Sequence, residues 1–292
     1  MGGMMWLGEE RGYLSDWITQ LWVGFTGRRL DRADYPWLEG PSGGTRVIGQ
    51  DFFAEYARKN GLKCVKGGPD AGLIENFADL ASASFDASRV HPAVADFYER
   101  TNAFEMDAWA QWRGMFRPFG WLIYRMFSRR LQQLNLPQSG LDTSRGIVSN
   151  ILQIIEPDTG QIRHTAWIRQ YVGSQNTLYA GSYSLCRVPG YDGNCIKVVF
   201  PLPNGNGIVF LKPELRADGS VLIRSDGRQF GGPGFYFTVR RTDGRLAARY
   251  LRPMKESIHV YHDKDGVRAD HHMRLWGREF LKLHYRLRRI EA

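Results

Sequence analysis

An α+β protein, with N-terminal helices followed by an antiparallel meander β-barrel of about ten strands under a covering helix, is the fold class this sequence predicts. Three observations predict it. Apolar residues before about residue 140 recur at helical spacing, whereas beyond residue 145 they alternate with period two. Turn signals then recur at short intervals: Asp158-Thr159-Gly160, Asp192-Gly193, Asn204-Gly205, Asp218-Gly219, Asp226-Gly227, Asp243-Gly244 and Asp265-Gly266. The runs between them are short and β-prone, and such runs joined by Asp-Gly or Asn-Gly read as hairpins. So many strands in so short a stretch normally close on themselves, which removes exposed edges. The expected division is a helical region over residues 1–140 and a barrel over residues 141–292.

The elements follow in order. Residues 8–25 set Tyr13, Leu14, Trp17, Ile18, Leu21 and Trp22 at amphipathic helical spacing, and GPSGGTRVI over 40–48 is a loop by composition. A helix is expected from about Gln50 to Lys59, and a short one near 73–80. In VHPAVADFYERT, Val90, Val94, Phe97, Tyr98 and Thr101 again fall on one helical face. FEMDAWAQWRGMF is read as leading into a helix over 118–134 with Pro118 just inside its start. That helix opposes Phe119, Leu122, Ile123, Met126, Phe127 and Leu131 to Arg117, Arg125, Arg129 and Arg130. Its apolar face suits a lid or core cover, an interfacial membrane helix, or a partner surface, and the lid reading leads. The strand runs are then IVSNILQII, IRHTAWIRQY, TLYAGSYSLC, CIKVVF, GIVFLKPEL, SVLIRS, GFYFTVRR, RLAARYLR, ESIHVYHD, VRADHHMRLW and FLKLHYRLRR.

Composition narrows the function classes. The 9 Trp, 13 Tyr and 16 Phe give bulky, flat walls that suit an apolar or aromatic ligand, and that a β-rich core needs as well. A net charge of +9 favours anionic partners: a carboxylate or phosphate ligand, an anionic membrane surface or an acidic carrier protein. No zinc-finger, RNP-type or basic-zipper pattern accompanies that charge, which argues against nucleic acid. Three irregularly spaced cysteines, Cys64, Cys186 and Cys195, are too few for a disulfide framework. The absence of a basic-then-apolar leader and of an 18-residue apolar run points to a cytoplasmic protein, peripheral to a membrane at most. HxxxH and HExxH are absent, so neither a metal nor a cofactor is expected.

Strand parity nominates the chemistry. In ESIHVY, Ser257, His259 and Tyr261 share one face, a base with two hydroxyl donors if that face points inward. Arg240 or Arg249 would then stabilise developing enolate charge. In VRADHHMRLW, His271 shares a face with Ala269 and Met273 and is the better candidate for a buried imidazole. Tyr179, Gly181 and Tyr183 share a face on which two tyrosines flank a glycine gap wide enough for a flat ligand; the plain alternative is a cross-strand aromatic ladder. Tyr98, Trp121 and Phe127 are the remaining expected ligand contacts.

HPAVADFYERT, FRPFGWLIYRMFSRRLQQLNLP, VVFPLPNGNGIVFLKPEL, GRQFGGPGFYF and the closing HYRL together resemble a set of bacterial proteins of this length from high-GC Gram-positive genomes. The resemblance runs from about residue 90 onward and implies no substrate or catalytic residue. In layout the expected barrel is also similar to lipocalin-like carriers and polyketide cyclases. The resulting expectation is a barrel enclosing a polyketide- or lipid-type molecule, acting as a cofactor-independent cyclase, isomerase or dehydratase. The alternatives are a carrier without chemistry, or a peripheral membrane or partner-binding protein working through helix 118–134.

Overall fold

The computed structural model describes residues 14–44, 48–113, 133, 147–172 and 177–290. Among them are three helices, α1 (Leu14–Thr26), α2 (Phe52–Lys59) and α3 (Pro92–Glu99). Three strands come early: β1 (Arg28–Leu30), β2 (Lys63–Lys66) and β3 (Phe104–Trp112). Eleven more follow: β4 (Ile147–Ile155), β5 (Ile162–Tyr171), β6 (Thr177–Arg187), β7 (Asn194–Leu202), β8 (Gly205–Leu215), β9 (Val221–Arg224), β10 (Gly234–Arg240), β11 (Leu246–Tyr250), β12 (Met254–Asp263), β13 (Gly266–Leu275) and β14 (Arg278–Arg289). All named strand pairings are antiparallel.

The late runs fold as their alternation predicts, and Gly160, Gly219, Gly244 and Gly266 of the turn signals all adopt positive φ. The turn between β13 and β14 places Trp276 and Gly277 both at positive φ, at 49° and 77°, a conformation costly for Trp276. Helix α3 begins as its sequence suggests. Pro92 occupies the first turn, and His91 Nδ1 accepts the Ala93 N–H at 3.2 Å.

Three expectations are corrected. The strand order β2-β4-β5-β6-β7-β8-β9-β12-β13-β14-β3 is not a simple meander. Strand β9 has only four residues and covers only Lys212–Leu215 of the long β8, so the free edge over Gly205–Phe210 takes β10 instead. Strands β10, β11 and β1 thus form a side arm. The sheet is also curled but not closed, so it is no true barrel. At the seam, the Ile151 N–H of β4 goes to the Asn102 side chain at 3.1 Å, and Asn102 Nδ2 donates to the carbonyls of Gly67 and Gly68. That N–H is therefore unavailable for a ladder to β3. Finally, residues before 140 are not all helical: β1, β2 and β3 pair with β11, β4 and β14. FEMDAWAQW is the strand β3, which buries Phe104, Met106 and Ala108 on one face.

The expected helix 118–134, with Trp121 and Phe127, lies outside the described residues apart from Gln133. Gln133 is buried, donates to the Ala180 carbonyl at 2.7 Å and accepts the Ala180 N–H at 3.0 Å. Extending the β6–β7 register puts Pro201, which has no N–H, opposite Ala180. The glutamine amide supplies what the proline cannot.

Both faces of most of the sheet are covered. The concave face holds the main core, with Trp167, Ile196, Val198, Val209, Leu211 and Val260 meeting Phe97 and Tyr98 of α3. On the convex face α2 packs on β4–β6 through Phe53 and Ala57. The segment from β1 to residue 44 crosses β7, β8 and β10, burying Trp37 and Leu38 on Phe210 and Tyr236. Lys197 Nζ donates to the Glu39 carbonyl, and Asn206 reaches the carbonyls of Gly40 and Pro41. Helices and N-terminal segment thus fix the curvature that leaves a cavity inside.

Candidate functional site

The cavity has a volume of about 110 Å³ and lies on the concave face, where α3 and the seam between β3–β14 and β4–β6 converge. Its walls are chiefly apolar, among them Leu73, Phe97, Val198, Leu211, Ile223 and Val260. Two groups of polar side chains interrupt them.

The first is centred on Arg169. Alternation along β5 puts Trp167, Arg169 and Tyr171 inward while Ala166 and Ile168 face α2. The Arg169 guanidinium lies 4.3 Å from the ring centroids of both Trp167 and Tyr179, and 5.8 Å from that of Tyr285 on β14. One terminal nitrogen is 3.7 Å from the Met106 sulfur on β3. The residue is only 8% exposed, and its Nε has no hydrogen-bond partner. No carboxylate among the described residues forms a salt bridge with it. Arginine does not deprotonate in proteins, so a full positive charge is held here. Burying such a charge costs several kcal/mol, and each stacked ring returns about 1–2 kcal/mol in a dry setting. The Tyr285 hydroxyl also accepts a hydrogen bond from the guanidinium, so ring faces and one phenol, but no anion, offset the burial of this charge.

Tyrosines surround it. Tyr179 O–H donates to Tyr183 Oη at 2.9 Å, which leaves the Tyr183 proton to find its own acceptor. Burial raises the Tyr183 phenol to about 12, and those of Tyr98, Tyr179 and Tyr285 also rise, so all four stay neutral donors at physiological pH. Gly181 is required between the tyrosines: a Cβ there would sit 2.2 Å from Tyr179 Oη. The gap expected to admit a flat ligand is filled by the Tyr179 ring itself.

The second group is Glu256 and His271, from β12 and β13. Glu256 Oε2 lies 3.0 Å from His271 Nε2, with side chains 7% and 12% exposed. The Glu256 backbone is fixed by Ser225, whose N–H donates to its carbonyl and whose Oγ accepts its N–H. A carboxylate and an imidazole in contact form an acid–base pair on the cavity wall.

The structure brings together Tyr98, Tyr179 and Tyr183; of the other expected residues, Ser257, His259, Tyr261, Arg240 and Arg249 stand elsewhere, and Trp121 and Phe127 lie outside the described residues. Alternation in β12 sends Glu256, Ile258 and Val260 inward, so Ser257, His259 and Tyr261 face outward. His259 Nε2 is 2.7 Å from Ser220 Oγ, which also contacts Asp218 Oδ1 at 2.6 Å. Ser220 is almost wholly buried, which makes it a poor nucleophile. Tyr261 O–H donates to Asp270 Oδ2 at 3.3 Å, and Asp270 also meets His284 and Lys282. On this outward face Ser220, Ser257, His259, Asp270 and His272 line a second, more open pocket of about 560 Å³ within a network of polar side chains. Arg240 and Arg249 stand on the side arm, where Arg249 donates to the Thr26 carbonyl at 2.7 Å. They do not join His259 as an enolate-stabilising set.

Sequence reasoning named neither Arg169, Glu256 nor Tyr285 as a site residue. The signal for Arg169 was its place between Trp167 and Tyr171 at alternate positions, an arginine on an aromatic strand face. Among the described residues, no group of three or more His, Cys, Asp or Glu side chains is arranged to hold a metal, and no helix is long and apolar enough to cross a membrane.

Comparison with known proteins adds a relative of unassigned activity. Over 250 residues, 85% of this chain, the sequence is 30% identical to the uncharacterized membrane protein YndJ of Bacillus subtilis (strain 168). The aligned part is 42% of that protein, so the chain spans about two fifths of the relative it matches. No family model and no solved structure matches the chain.

Proposed function

We propose that the protein binds a small, largely apolar molecule within the curled sheet. The observation that carries this reading is the cavity itself: an apolar enclosure with few, convergent polar groups is the usual form of a small-molecule site. A polyketide- or lipid-type ligand, or part of one, fits its aliphatic and aromatic walls. Acid–base catalysis without a cofactor would fall to Glu256 and His271, since Ser257, His259 and Tyr261 face away. Native mass spectrometry of the purified protein beside a solvent-extracted sample tests the reading, together with titration of toluene as a neutral apolar probe. A retained small molecule, or toluene binding abolished by the cavity-filling Leu211→Trp, is expected. Absence of both overturns it.

A second reading is association with a membrane surface, and the exposed stripe Ile18, Trp22 and Phe25 on α1 favours it. The relative's description as a membrane protein points the same way. Flotation with anionic vesicles should then depend on these three residues and weaken with salt. Flotation unchanged in the triple serine variant would exclude this surface.

A further inference from the structure

We infer that Arg169 makes the cavity selective for apolar acids, binding the carboxylate of a ligand whose hydrocarbon part lies against the aliphatic wall. This rests on the binding reading above and names the ligand class.

The inference starts from an unmatched charge. Arg169 is enclosed by Trp167, Tyr179, Tyr285 and Met106; the Tyr285 hydroxyl accepts one of its hydrogen bonds, but none of the four is anionic and its Nε lacks an acceptor. The carboxylate on the cavity wall, Glu256, contacts His271 instead. A ligand anion would supply the missing counter-charge.

The geometry selects a carboxylate. A guanidinium engages a planar carboxylate with two parallel N–H donors, and such charge-assisted bonds are strong. With Trp167 and Tyr179 against the guanidinium, the unpartnered Nε is the donor left for a ligand acceptor. Tyr183 adds a neutral hydroxyl whose own proton is free for an acceptor after it receives Tyr179 O–H. Two or three donors suit a monoanion, whereas a phosphate dianion would bring a second charge beside Glu256. The ligand's apolar part is small, since 110 Å³ approaches the roughly 150 Å³ of a cavity that holds benzene. An aromatic ring or a chain of a few carbons is therefore the portion enclosed.

The test compares pairs that differ in charge and not in shape: benzoate with benzamide, and hexanoate with hexanamide, titrated into the whole chain at pH 7 and followed by NMR shifts. A charge-assisted contact of this kind is expected to favour each acid over its amide by about tenfold to a hundredfold. In Arg169→Met the preference should vanish while the amides still bind, and Arg169→Lys should restore part of it. Tyr183→Phe should reduce the preference severalfold. Acid and amide binding equally in the unsubstituted protein overturns the inference and leaves the cavity reading standing, as does a preference that survives in Arg169→Met. Failure of all four probes and of toluene overturns both. The wild-type comparison decides the matter even if Arg169→Met does not fold.

Discussion

Replacing Arg169 by Met should stabilise the empty protein, although it removes a buried polar residue ringed by contacts. The guanidinium has left water at a cost of several kcal/mol, and its unpaired Nε adds about 1–3 kcal/mol. Against that stand two rings at 4.3 Å, contributing together about 2–4 kcal/mol, a hydrogen bond to the neutral Tyr285 hydroxyl, and a weak sulfur acceptor. The balance is a deficit of about 1–3 kcal/mol. Methionine keeps an unbranched stem between Trp167 and Tyr179 and makes good sulfur–aromatic contacts, so little packing is lost. For a chain of this length 1 kcal/mol moves Tm by about 2 °C, and Arg169→Met should melt about 2–6 °C higher. Scanning calorimetry of the extracted protein at pH 7 measures this. Arg169→Ala is the control: it vacates the stem's volume as well as the charge and should melt below Arg169→Met. A fall of more than about 2 °C in Arg169→Met would refute the reasoning, because it would mean the charge is already compensated.

Three further outcomes follow from the geometry. Burial, with the charges of Lys197 and Arg163, pushes His164 from 6.5 down to about 4, so it stays neutral in the fold while the unfolded chain protonates first. Its contribution is complete above pH 6.5 and is lost as pH falls toward 4, about 2 kcal/mol between pH 7 and 5; urea unfolding of His164→Gln should show a correspondingly shallower pH dependence, and equal slopes would contradict this. Gly181→Ala should cost about 1–3 kcal/mol by driving a Cβ into the Tyr179 phenol, and Tyr179→Leu in the same chain should recover part of the loss in denaturant titrations. His259→Ala should leave toluene affinity unchanged and lower stability by no more than about 1 kcal/mol, the value of its hydrogen bond to Ser220; loss of ligand binding would place the site on the outward face after all.

How much of this the sequence carried depends on which physical signal wrote each part. Every run picked out after residue 146 is a strand, because turn chemistry and period-two alternation are local and survive without knowledge of the partner. Strand β3 is harder to read because its outward face, otherwise Glu105, Asp107 and Gln111, carries Trp109, and because the run leads directly into FRPFGWL with no turn signal between. The facing of β12 stays open in the sequence for a different reason. Alternation states that Glu256, Ile258 and Val260 travel together, but which set turns inward is decided by β9 and β13 beside it. A buried glutamate beside two β-branched residues is readable only once His271 is known to lie across the ladder. Nor does periodicity record why the sheet stays open: the early strand β2 takes the edge of β4 over Leu152–Ile155, and Asn102 takes the Ile151 N–H beside it.

The segment that crosses the convex face has a practical bearing on any attempt to dissect the molecule. Recurrent motifs begin near residue 90, and a fragment starting there looks self-sufficient on paper. Yet Phe210, Tyr236, Val199 and Cys195 are dry only because Trp37, Leu38 and Leu30 lie over them. The charge of Lys197 is tied down by a carbonyl from that same stretch. Cutting it away would open a contiguous apolar surface across three strands and strand an ammonium group in its midst, the makings of a sticky, self-associating fragment. Expression designs should therefore retain everything from α1 onward, and a shortened chain that precipitates would report on its missing cover, not on the soundness of the sheet beneath.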